Sequence, residues 1–104
     1  MVFTKLIKVD LIPKNGLKYL VVGNHEIMVF NFRNNFYCYD ARCTHAGAPL
    51  FDGEIKDKFI VCPWHDSRFS IIDGSVVDGP ATESLRAYSV KIKDDFLYVD
   101  IDDF

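Results

Sequence analysis

A chain of 104 residues, 49% of them hydrophobic and 14% aromatic, has apolar material for one core without disulfide staples, which excludes a disordered chain. A net charge of −3 and a pI near 5.5 argue against a nucleic-acid binder, whose surface carries a basic face. No apolar run approaches the roughly 18–20 residues of a membrane span, no signal-peptide core opens the chain, and three cysteines suit a reducing compartment better than a disulfide framework; a cytoplasmic protein is expected.

A period of two runs through almost the whole chain. Phe3, Leu6 and Ile7 open a first strand, and residues 19–22 form a second. Residues 27–32, apolar and β-branched or aromatic at most positions, make a third. Gly23-Asn24 between them is a hairpin signal, because two-residue turns need φ > 0. After Arg33-Asn34-Asn35 the chain resumes as a strand over residues 36–40. Residues 41–53, with Gly47, Pro49 and Gly53, lose the period and are expected as a long loop. Short strands follow over 59–62 and 68–72, with turn signals at Asp73-Gly74 and Asp78-Gly79-Pro80. Alternation returns from Leu85 to Ile92, Asp94-Asp95 turns the chain, and residues 96–101 close it. No segment carries a helical stripe of ten or more residues. The expected fold is all-β: an antiparallel sandwich or barrel, one domain over residues 1–104, with two irregular loops inserted in its middle.

Those loops carry the chemistry. The first, CTHAGAPL (residues 43–50), holds Cys43 and His45. The second, CPWHDSRF (residues 62–69), holds Cys62 and His65, and sixteen residues separate His45 from Cys62. Two thiolates and two imidazoles suffice to hold a metal centre. Structural zinc usually draws its cysteines from one knuckle and its histidines from another. Here each loop offers one of each, which suits two metal atoms: one iron on Cys43 and Cys62, the other on His45 and His65, as in a Rieske [2Fe-2S] centre. Zinc on the same four residues is the competing reading. Cys38, alternating with Phe36 on a strand, reads as core, and His25 as an exposed turn residue.

The double motif, with the later Gly79-Pro80-Ala81, resembles the soluble Rieske-type ferredoxins, and the resemblance runs over nearly the whole chain. It implies a Rieske fold: a base of antiparallel sheets under a cluster-binding subdomain of about residues 41–83, with one [2Fe-2S] cluster. It places the histidine ligands at an exposed tip, the cysteines deeper, and a proline-bearing loop around Gly79-Pro80 as a cover on a third side. Respiratory-complex members tie their two loops by a disulfide between two further cysteines. Ala48 and Trp64 stand at those positions here, so that staple is absent. High-potential members carry a serine donating to a bridging sulfide and a tyrosine donating to the first cysteine. Ser67 keeps the serine, whereas Phe69 has lost the tyrosine hydroxyl. Trp64 is open to three readings: shielding the cluster, forming a docking face, or packing the loop.

The function implied is one-electron transfer, not catalysis. A reductase, of flavoprotein type, would supply the electron, and an oxygenase component or other acceptor would take it. No membrane or nucleic acid is involved, and 104 residues leave no room for the mononuclear-iron domain of a Rieske oxygenase. Two alternatives stand beside this: a Rieske-like small subunit of a larger reductase such as nitrite reductase, and a zinc-stabilised binding module.

Overall fold

The computed structural model describes residues 3–44, 47–64, 66–79 and 81–100. Its strands are β1 (Phe3–Lys8), β2 (Gly16–Val22), β3 (His25–Phe32), β4 (Asn35–Asp40), β5 (Glu54–Lys56), β6 (Phe59–Val61), β7 (Arg68–Ser70), β8 (Val76–Asp78), β9 (Ala87–Tyr88), β10 (Val90–Lys93) and β11 (Phe96–Asp100). Two single turns of 3-10 helix, Val9–Leu11 and Leu50–Asp52, interrupt them. The strands form three sheets, ordered β1-β11-β10, β2-β3-β4-β9 and β5-β6-β7-β8. Among the described residues no helix is long and apolar enough to cross a membrane.

The β2-β3-β4-β9 sheet is the middle layer, and β3 shows why. Ile27 and Val29 point into one core, with Ile7, Ile12, Cys38, Tyr88, Leu97 and Val99. Met28, Phe30 and Phe32 point into a second, with Tyr39, Leu50, Ile60, Phe69 and Ile71. Side chains alternate faces along a strand, so a strand buried on both faces reads as a continuous apolar run. That is the pattern of residues 27–32, and Asn31 is its one polar member, still only 8% exposed. Leu17 and Tyr19 of β2 line the second core, while Leu20 and Val22 line the first.

Turn chemistry fixes the hairpins. Arg33-Asn34 and Asp94-Asp95 place both central residues at positive φ, 52° and 66° in the first and 52° and 68° in the second. Such turns match the right-handed twist of the strands they join. At Gly23-Asn24 only Gly23 is left-handed, at φ 60°.

The structure differs from the sequence expectation in three places. Residues 54–56 and 76–78 form β5 and β8, the edges of the inserted sheet, where no strand is expected. The single alternating tail expected from Leu85 to Ile92 divides at Ser89. Its first part, β9, pairs with β4, and its second, β10, with β11. The Ser89 carbonyl accepts the Asp100 amide at 2.9 Å, holding the crossing between the two sheets.

Candidate metal centre

Cys43 and Cys62 sit at the start of two loops with one shared backbone design. In the first loop the Cys43 N–H donates to the Ala48 carbonyl at 2.9 Å, and the Gly47 N–H returns to the Cys43 carbonyl at 2.9 Å. In the second, the Cys62 N–H donates to the Ser67 carbonyl at 2.8 Å, and the Asp66 N–H returns to the Cys62 carbonyl at 3.2 Å. Each loop thus bonds cysteine to the fifth residue on, and the fourth residue back to cysteine. The fourth residue is left-handed in both, Gly47 at φ 69° and Asp66 at φ 60°. Glycine takes that conformation freely, and aspartate is among the few other residues that visit it often. The turn buries both thiols, leaving Cys43 3% and Cys62 1% exposed, and neither is in a disulfide.

His45, His65 and Pro80, expected as two ligands and part of the cover, lie outside the described residues. Among the described residues no group of three or more His, Cys, Asp or Glu side chains is placed to hold a metal ion. Trp64, next to His65 in sequence, is 58% exposed, so it does not pack the loop interior. Phe69 is wholly buried on β7 in the second core. Ser67 is also wholly buried, and its Oγ accepts the Ala81 N–H at 3.1 Å. Gly79, at φ +96°, lies against the same residue. A Cβ there would stand 2.5 Å from Ser67 Cα, a contact real Cβ atoms do not make.

Sequence reasoning missed the fastening of the first loop. Arg42, one residue before Cys43, donates from Nη2 and Nε to the two carboxylate oxygens of Glu26, at 2.9 and 3.1 Å. Tyr19 donates to Glu26 at 2.7 Å and stacks on Phe51 with ring centroids 4.0 Å apart. The Arg42 guanidinium lies 5.5 Å above Phe51 and closes the ring. The four side chains come from β2, β3 and both ends of residues 42–51, so they grip that loop at its neck. Hydrogen bonds from Arg42, then Tyr19, hold the Glu26 carboxyl down to about 2. No local pattern marks this ring, because its members meet only after β2 and β3 have paired.

Two residues read as non-ligands fare differently. Cys38 is core, as expected: it is 2% exposed, and burial, with a smaller contribution from the Asp40 charge, pushes its thiol up to about 12. His25 is not the exposed turn residue expected. It is the first residue of β3, half-buried, and lines a cleft with Asn24, Glu26, Asp40 and Arg42.

The donor set suits an iron–sulfur centre. Two buried thiols on matching turns, without a disulfide between them, offer soft ligands shielded from water. Comparison with known proteins agrees. The Rieske [2Fe-2S] domain profile matches residues 3–89. The ferredoxin component of naphthalene 1,2-dioxygenase/salicylate 5-hydroxylase systems from Ralstonia sp is 32% identical over 84 residues, 81% of each chain. A Sphingomonas yanoikuyae B1 ferredoxin superposes with a TM-score of 0.88 at 25% identity, covering 95% of this chain and 98% of that one. A chain from the complex of reduced oxygenase and oxidized ferredoxin in carbazole 1,9a-dioxygenase gives 0.85 at 26% identity, covering 93% and 91%.

Proposed function

Because the chain belongs to the Rieske [2Fe-2S] domain family, we propose that Cys43, His45, Cys62 and His65 hold its cluster and that it carries single electrons from a reductase to an oxygenase component. The observation that carries this is the match to a ferredoxin component of dioxygenase systems over 81% of both chains. A relation of that extent favours a free carrier over a subunit built into a larger reductase. The protein is an electron-transfer protein, not an enzyme, and its cofactor is one [2Fe-2S] cluster.

The bound cluster supplies a one-electron couple whose potential rises because neutral imidazoles replace two thiolates. The chain does the rest. Its paired turns bury the cysteine ligands, Phe69 shares their core, and Gly79 lies against the buried Ser67. Trp64, next to His65 in sequence, offers an exposed aromatic surface to a docking partner. Residues 41–83 act as the cluster-binding subdomain, for they span both loops and the inserted β5–β8 sheet. The donor is of flavoprotein type, and the docking is transient and small. The unbridged thiols suit the reducing cytoplasm, where we place the protein.

The test is electron transfer itself. Reduced protein, mixed in stopped flow with a dioxygenase terminal component, is expected to reoxidise as the acceptor is reduced. Absence of transfer to that acceptor, or stable one-to-one co-purification with a large reductase subunit, would contradict the reading.

A further inference from the structure

Without the disulfide of the respiratory members, the two cluster loops need another tie. The structure contains a candidate that neither motif announces. Thr44, between Cys43 and His45 on the first loop, donates its hydroxyl to the Glu83 carbonyl at 2.7 Å. Ser67, two residues after His65 on the second loop, accepts the Ala81 N–H at 3.1 Å. One side-chain hydroxyl from each loop therefore grips the same short stretch of backbone, residues 81–83. That stretch is itself anchored at both ends. Gly79 is pressed onto Ser67 on one side, and on the other Leu85, 5% exposed, donates its N–H to the Gly74 carbonyl at 2.8 Å.

We propose that residues 81–85 are a strap that joins the two cluster loops in series through Thr44 and Ser67, and that Thr44 is thereby a positioning residue for the centre. This rests on the assignment of the cluster to these loops. Two hydroxyls and a backbone segment do non-covalently what a cross-link does elsewhere: they hold Cys43 and Cys62 on a common frame. A hydroxyl is required at position 44, because a methyl group cannot donate to the Glu83 carbonyl. Threonine and serine meet that requirement; valine, of the same shape as threonine, does not.

The series arrangement gives a sharp test. Holoprotein with its iron and sulfide assayed is incubated with a ferrous chelator, and cluster loss is followed by its visible absorbance. Loss of this one hydrogen bond is expected to speed bleaching about fivefold in Thr44→Val, while Thr44→Ser stays within about twofold of the parent. Releasing either tie already unlinks the loops, so the Thr44→Val/Ser67→Ala double variant is expected to bleach more slowly than the product of the two single effects predicts, the non-additivity of groups that share a partner. The Ala81 amide, read by hydrogen exchange, gains exchange rate in Thr44→Val although its own acceptor is intact. Parent-like bleaching in Thr44→Val, equal bleaching in Thr44→Val and Thr44→Ser, or strictly multiplicative effects in the double variant would overturn the strap. A parent protein that holds zinc and no iron would instead overturn the cluster assignment beneath it, and the two failures are told apart by the metal assay.

Discussion

Ser67 shows how much one buried side chain settles. Its Oγ has no exposed surface and already accepts the Ala81 amide, so its own hydroxyl hydrogen is what remains to donate. A donor near the cluster favours the reduced, more negative state. At about 1–1.5 kcal/mol of differential strength, Ser67→Ala is expected to lower the one-electron potential by roughly 40–65 mV in protein-film voltammetry; an unchanged potential would count against the donor role. Phe69→Tyr should raise the potential, at a stability cost of about 1–3 kcal/mol for adding atoms at a wholly buried position. Cys38 is the opposite kind of thiol. With its titration pushed up to about 12, it is expected to resist iodoacetamide at pH 8 in the native protein and to react once the chain is unfolded. Rapid native labelling at Cys38, read by peptide mass spectrometry, would contradict this. The four proposed ligand positions stand out in the sequence because cysteine and histidine at this spacing have few other uses. Thr44 and Arg42 do not, since a threonine or arginine in a loop signals nothing until its partner arrives from another element.

At the scale of elements, the first loop depends on the Arg42–Glu26 clamp. The Glu26 carboxyl is depressed from its ordinary 4.5 to about 2 by the hydrogen bonds of Arg42 and Tyr19. A depressed carboxyl stabilises the fold fully above its unfolded value, and that contribution fades as pH falls through the folded one. The stability gap between the parent and Glu26→Gln should therefore be constant above about pH 5 and close toward pH 2. A gap that stays constant down to pH 2 in denaturant titrations would show that the carboxylate charge is not what holds the loop. Gly79→Ala should be disruptive, because the new Cβ meets Ser67 backbone and the φ of +96° disfavours any side chain. Which elements the sequence revealed follows from the same physics. Residues 27–32 announced β3 by being apolar on both faces. Three-residue β5 and β8 are too short to display a period, and they become strands only because β6 and β7 offer their edges.

The molecule as a whole divides its labour between two cores. The one around Ile27, Val29, Cys38, Leu97 and Val99 contains no proposed ligand, whereas the other contains both Cys43 and Cys62. Removing the cluster should leave β1–β4 and β9–β11 protected in hydrogen exchange while residues 41–83 lose protection, the two cores behaving as separate cooperative units. Uniform loss across the chain would argue for one unit. The central claim, that two cysteine–histidine pairs hold a mixed-ligand [2Fe-2S] cluster, is tested most directly by EPR of the anaerobically purified protein after dithionite reduction, with iron, sulfide and zinc assayed on the same sample. The account predicts a rhombic signal with average g below the free-electron value and one two-iron cluster per chain. A colourless, EPR-silent protein with one zinc per chain would contradict it.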